Sequence, residues 1–494
     1  STGVENGFDW AAEFPDVFND GGFDVIIGNP PYVDLKSLDN DMVENIFKHY
    51  SCSNNRVNLF SAFTEKSISL LNTTGYFSFI IPSSILTQDS YSNLRKLILD
   101  KTNITKIVRL PNESFGGGAG EVKVDTIILT LNITEYKNDT EVITYIGFDR
   151  ISEISKYNCD QHSYISQALW NTEHPYNFKI NVSNEDDQIL AVINSNSSSL
   201  INCAEFCLGL TPYDKYRGHT QEQIKGKAFH SDHKKDSTFK KLLAGNDVTR
   251  YNVTWNEEQW ISYGEWLGAA REPKYFTGKR ILVKQIIDWT DKKIWAAVTD
   301  EELYNTQNAF NLIAKEEYST EFLAAVINSS LMSYYHRKTF LEEFKDRFQK
   351  ILIKDAKEFP IKLVCSDLEE KVVNLVNEMT FNKAMAIRVQ RKFFKYICEY
   401  NELDKKSKKL YEWPKLEFKP FVKEINKQLK LVNKLSLTKK EEIELHELFA
   451  EYKNDFNEEI TSFNNLDKKL DDLIFDIYGL NERQKNYILD TLYS

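Results

Sequence analysis

The run Phe23-Asp24-Val25-Ile26-Ile27-Gly28-Asn29-Pro30-Pro31-Tyr32 starts a sheet and then breaks out of it. Val25 to Ile27 is a short branched apolar run bounded by turn formers, the pattern of a buried strand. Gly28 ends it, and two prolines forbid both a further ladder and a helix. The residue before each proline is pushed into an extended conformation, so the chain leaves as a stiff loop. Asn29 and Tyr32 are then held at the carboxyl end of a strand, where open α/β sheets place their ligands. The chemistry on offer is narrow. Asn29 has an amide oxygen, and the Pro30 carbonyl is a second acceptor. Two such acceptors suit an amino group, and Tyr32 presents a flat face to the ring that carries it.

Working outward, a helical stretch is expected near Val43 to Phe47. Asn58 to Leu71 has the apolar spacing of an amphipathic helix, with Leu59, Phe60, Phe63, Ile68, Leu70 and Leu71 on one side. Asn72 to Gly75 should end it. Strands follow over Tyr76 to Ile81 and Ile104 to Leu110, with a helix over Tyr91 to Leu99 between them and a β-rich run from Val122 to Leu131 after them. Strand and helix alternating at this spacing predict an α/β sheet with crossovers.

Asn29-Pro30-Pro31-Tyr32, read with the segment Asn58-Leu59-Phe60-Ser61-Ala62-Phe63, resembles the TaqI-like adenine-specific DNA methyltransferases and the larger type IIG restriction–modification enzymes. The resemblance implies S-adenosyl-L-methionine as cofactor and double-stranded DNA as partner. It implies catalytic roles for Asn29, Pro30, Pro31 and Tyr32, an adenine-side cofactor contact for Phe63, and a stacking role for Phe115 opposite Tyr32. Read from the residues alone, Phe63 is a helix-core aromatic and Phe115 a loop aromatic covering a core edge. An adenine inside a duplex must be extruded before its amino group is reachable, which is why two aromatic faces would be needed. Relatives carry a glycine-rich cofactor loop upstream of the motif. Gly116-Gly117-Gly118-Ala119-Gly120 lacks the strand–turn–helix setting for that task. The chain is therefore expected to be a C-terminal part, with an N-terminal segment or partner chain supplying the loop, and in type IIG relatives a nuclease too.

The implied layout is a partial Rossmann-like methyltransferase sheet over 1–150, an α+β target-recognition domain over 151–365 and a mostly helical region over 366–494. Landmarks similar to the recognition domain are Leu242 to Val248 with Tyr251, Lys279 to Val283, Tyr304 to Asn308, Phe322 to Tyr335 and Phe359-Pro360-Ile361. Arg217, Lys225, Arg271, Lys274, Lys279 and Gln285 have the side chains that read base edges or hold phosphates. In the tail, Leu470, Leu473, Ile474, Ile477 and Tyr478 form a helical stripe ended by Gly479, and a last helix begins near Asn481.

Bulk properties bound the rest. A chain of 494 residues exceeds one core, and 41% hydrophobic with 27% charged content is that of a globular protein. No apolar run approaches the roughly 18 residues of a membrane span, and six scattered cysteines suggest free thiols in a reducing cytoplasm. Cys203 and Cys207, with His230 and His233, are candidate zinc ligands at an unusual spacing. The net charge of −11 argues against a protein that coats nucleic acid uniformly, yet Lys383 to Lys440 carries 17 Lys/Arg against 6 Asp/Glu. That block is either a phosphate-facing surface or a solvated helical face. Glu417-Phe418-Lys419 with Asp404 has the residue types of a metal-dependent nuclease but no strand around it. Two other functions stay open: a DNA-recognition module without catalysis, and methylation of a glutamine amide or an RNA base.

Overall fold

The computed structural model describes residues 8–53, 58–110, 125–145, 159, 161–171, 174–287, 291–341, 349–403 and 407–493. The chain divides into two compact units, Ser1–Gln188 and Ile189–Ser494.

The first unit is built on six strands: β1 (Phe23–Gly28), β2 (Leu71–Pro82), β3 (Asn103–Arg109), β4 (Thr126–Asn132), β5 (Thr140–Thr144) and β6 (Gln161–Ile165), in the order β1-β2-β4-β3-β5-β6. β1 and β2 run parallel. β4 inserts antiparallel between β2 and β3, which leaves β1, β2 and β3 pointing the same way. Parallel neighbours need crossovers. The helices Phe60–Leu70 and Ser92–Lys101 lie in the two connections. Phe77, Ile81, Ile104, Ile107, Ile127, Leu129 and Leu131 are fully buried in the sheet core. Beyond residue 150, β6 pairs with β5, and the segment to Gln188 belongs to this same unit.

Two expectations need correction. The helix ends at Leu70 and β2 begins at Leu71, so Asn72 to Gly75 lie inside a strand. There the pairing slips, from Phe23 opposite Leu71 to Val25 opposite Tyr76. The slip brings Gly75 so close that a Cβ would sit 2.9 Å from the Phe23 carbonyl oxygen. The second correction concerns β1. It is not a buried strand: Val25 is 54% and Ile27 77% exposed. Among the described residues β1 has a neighbour on one side only, so it forms the sheet's edge.

In the second unit, Ala296–Thr299, Arg280–Lys284, Ala309–Ala314 and Ala204–Leu208 form an antiparallel sheet. A second small sheet joins Tyr304–Asn305, Phe239–Leu243, Trp260–Ser262 and His230–Ser231. The helices Thr320–Asn328 and Ser330–Phe340 pack beside the first sheet and share one core with the C-terminal helices. Val372, Val376 and Met379 of the Ser366–Tyr400 helix, and Leu470, Ile474 and Tyr478 of the Lys439–Tyr478 helix, belong to that core together with Leu323 and Leu331. The tail stripe is thus packing. Gly479 ends the helix at φ +74°, a left-handed conformation that a side chain resists. Asn481 and Gln484 then exchange backbone-to-side-chain bonds of 3.0 Å to start the last helix. Among the described residues, no helix is long and apolar enough to cross a membrane.

Candidate active site and recognition unit

β1 delivers its motif to the sheet edge where β1, β2 and β3 all end. Gly28 is required there, because a Cβ would meet the Phe79 ring at 2.9 Å. Asn29 is exposed, Pro30 buried, Pro31 exposed and Tyr32 half-buried. The Tyr32 hydroxyl donates to the Ile80 carbonyl at 2.8 Å, which ties the ring to β2. Burial pushes its pKa up to about 12, so at neutral pH the phenol is a hydrogen-bond donor and not a base. Just beyond, the Leu59 amide donates to the Val33 carbonyl at 2.8 Å, and Asp34 bridges Asn58. These bonds hold the start of the Phe60–Leu70 helix against the outgoing chain of the motif. On that helix Phe60 is buried, its ring 5.1 Å from that of Tyr91, while Phe63 is 45% exposed. Phe63 is thus not the core aromatic its spacing suggested.

Phe115 and the glycine cluster lie outside the described residues. The chain on either side is placed: the Leu110 amide donates to Thr126 at 3.1 Å, and the Ser83 amide to Asp125 at 2.8 Å. Both ends therefore sit where β2 and β3 finish, the edge that carries Asn29.

Arg95 was not singled out from the sequence. It is fully buried and donates to four carbonyl contacts: Ile85 at 2.8 Å, Gln88 at 2.9 Å, and Pro175 at 3.1 and 2.7 Å. Burial lowers its pKa to about 10, leaving it charged at neutral pH. It fixes the segment that leaves β2 at the same edge. Its signal was its helical position between Tyr91, Leu94 and Ile98, all buried.

In the second unit Arg217, Lys225 and Arg271 are exposed. Lys274 pairs with Glu205 and Lys279 with Glu321, each at 2.7 Å. Gln285 is half-buried, its backbone N–H donating to the Asn308 carbonyl at 2.9 Å. The zinc candidates are engaged separately: His230 with Tyr213 at 2.9 Å, His233 with Asp232, and the two thiols with backbone carbonyls. Among the described residues no three His, Cys, Asp or Glu side chains gather as a metal site would need. Glu417 directly precedes the Phe418–Leu431 helix and pairs with Lys453 at 3.0 Å, a helical setting unlike a nuclease strand; Asp404 lies outside the described residues.

Family models match this chain in three consecutive places. Residues 2–115 match the Eco57I restriction-modification methylase, 240–361 the TaqI-like C-terminal specificity domain, and 366–474 a domain of unknown function. The chain thus carries a restriction-modification methylase match followed by a TaqI-like specificity-domain match. It is 26% identical over 377 residues to RM.MjaORFECS2P of Methanocaldococcus jannaschii, a match covering 76% of this chain and 30% of that protein. It is 24% identical over 153 residues to the type II restriction enzyme and methyltransferase RM.Eco57I of Escherichia coli, covering 30% of this chain and 14% of that one. The matched parts are thus a third or less of these relatives' length. Among solved structures, the type IIL restriction-modification enzyme MmeI in complex with DNA has a TM-score of 0.49 at 11% identity, covering 97% of this chain and 57% of that chain. The type IIG restriction endonuclease BpuSI has a TM-score of 0.32 at 11% identity, covering 93% and 55%. The Asn-Pro-Pro-Tyr motif thus falls in the methylase match, and the Arg/Lys candidates from Arg271 to Lys279 fall in the specificity match.

Proposed function

We propose that this chain is the motif-bearing and DNA-reading part of a site-specific adenine DNA methyltransferase of a type II restriction–modification system. One observation carries the reading: Asn29 stands exposed at the end of β1 beside a Tyr32 ring anchored to β2. The Asn29 amide oxygen and the Pro30 carbonyl accept the two amino hydrogens of an extruded adenine. Both bonds draw the amine out of conjugation with the ring and turn its lone pair outward. Tyr32, its hydroxyl held by Ile80, offers a stacking face, and Phe115 from the Leu110–Asp125 connection would offer the other. S-adenosyl-L-methionine supplies a methyl group made electrophilic by a sulfonium. The half-exposed Phe63, on a helix whose start is bonded to the outgoing motif, fits an adenine-side contact for it.

The open edge of β1 favours a second component. Among the described residues β1 is paired on one side only, and its Val25 and Ile27 side chains are exposed, the form of edge that proteins normally cover. A further strand, from an N-terminal segment or a partner, would pair there and bring the glycine-rich cofactor loop. Without it the chain acts as a DNA-recognition module. The enzyme would work in the cytoplasm, and its six free cysteines agree with that.

The test is Asn29→Ala in the complete enzyme, assayed for methyl transfer to duplex DNA and for DNA affinity. Loss of one positioned acceptor should lower kcat by about 10²- to 10³-fold with affinity retained. Undiminished adenine methylation would reject the role given to Asn29. Methylation of cytosine alone would reject the substrate.

A further inference from the structure

The Phe418–Leu431 helix lies in the region whose family match carries no function. Its apolar side is spent inward: Phe421, Ile425 and Leu429 are buried with Phe393, Trp413 and Phe449. Lys419, Lys423, Lys427 and Lys430 occupy the other side, all exposed. At 3.6 residues per turn the four fall within an arc of about 80°. Among the described residues none of them forms an ion pair with a carboxylate. The helix's one acidic residue, Glu424, is buried and accepts from Ser407 Oγ and Gln428 Nε2, each at 2.8 Å. Ser407 also caps the short Lys408–Tyr411 helix, which sets the exposed Lys408 and Lys409 beside the stripe.

A solvated helical face usually mixes signs at three- and four-residue spacing, which removes mutual repulsion. This face has one sign, in a chain of net charge −11. Repulsion between four lysines is tolerated best where an anionic surface neutralises them. Lys419, Lys423 and Lys427 rise in steps of about 6 Å along the helix. That is just under two nucleotide steps of a DNA strand, at about 3.4 Å each. A lipid surface fits poorly, because a helix lying in a membrane needs a free apolar face and this one is packed.

We propose that the lysine face of the Phe418–Leu431 helix is a contact for the phosphate backbone of duplex DNA, independent of base sequence. This rests on the DNA-binding reading given above. It assigns to the helical region the task of holding duplex whose bases it does not read.

The experiment titrates the full chain with a random-sequence duplex over a range of salt concentrations. It compares the wild type with a Lys419→Gln, Lys423→Gln, Lys427→Gln, Lys430→Gln variant and with the same four positions changed to Arg. Four lost phosphate contacts should flatten the slope of log affinity against log salt by about 3 to 4, and weaken binding roughly a hundredfold or more near 0.1 M salt. The Arg variant should keep the wild-type slope. Should the fourfold variant fail to fold, the two pairwise Gln variants should each show half the change. A wild-type slope in the Gln variants overturns the proposal and leaves DNA binding standing. A wild type that binds no duplex at all overturns both. Loss of binding to phosphatidylserine vesicles with an unchanged DNA slope would assign the face to lipid and also overturn it.

Discussion

At the residue scale, Tyr32 separates two roles that one ring could hold. Its hydroxyl donates to Ile80, and its face is proposed to stack on the target base. Tyr32→Phe removes only the bond, so it should cost about 1 kcal/mol of stability and leave methyl transfer within tenfold. Tyr32→Ala removes the face as well, a loss of about 1 to 3 kcal/mol of base stacking. Thermal unfolding and kcat/KM of the complete enzyme, measured on both variants, separate these effects. Equal damage from both would place the importance of Tyr32 in its anchor. The motif itself was legible because prolines and glycine act on their own neighbours. The Ile80 partner was not, since it lies 48 residues away in sequence.

At the scale of the element, the Ser330–Phe340 helix is buried from Ser330 to His336 and again at Lys338, and His336 is fully buried. The imidazole packs against the Phe340 and Phe359 rings, and neither of its nitrogens has a hydrogen-bond partner among the described residues. Burial lowers its pKa from 6.5 to about 3. The folded state therefore binds fewer protons than the unfolded chain across that interval. Stability is complete above pH 6.5 and falls progressively as pH drops towards 3. His336→Leu should remove roughly 3 to 5 kcal/mol of that pH dependence, read as a flatter plot of unfolding free energy against pH. An unchanged plot would mean that His336 titrates normally. The helix was expected from sequence as a recognition-domain landmark. The burial of Tyr334, His336 and Lys338 along it is set by the elements packed around it and not by its own pattern.

At the scale of the whole second unit, four charges clamp the Lys439–Tyr478 helix to the segment that matches the specificity domain. Asp467 pairs with Arg250, and Asp471 with Lys293 at 3.0 Å. Asp471 also accepts from the Ser330 amide and hydroxyl. Burial opposes the charge on Lys293, and the two aspartates outweigh it and Arg250, so its pKa is raised. Removing one partner of a buried pair leaves a charge without compensation. Asp471→Ala should cost about 3 to 5 kcal/mol, and a Lys293→Met, Asp471→Leu double variant less than the single change. Urea unfolding of the three proteins decides it. A double variant that is worse than Asp471→Ala would show that the pair contributes more than it costs to bury.

Sequence by itself determined β1 to β4, the two helices between them and the strand-end motif, because glycine, proline and apolar periodicity act over a few residues; β5 and β6 were not read from it. The strand β1, the helix at Phe60, the stop at Gly479 and the cap at Asn481 were all read that way. Tertiary structure alone decided which apolar residues were covered and which charges had partners. Val25 and Ile27 look like core until the sheet order leaves β1 at an edge. Arg95, Arg250 and Lys293 look like solvent-facing cations until distant carbonyls and aspartates surround them. Burial and charge compensation are properties of what the fold brings alongside, and no local pattern encodes that.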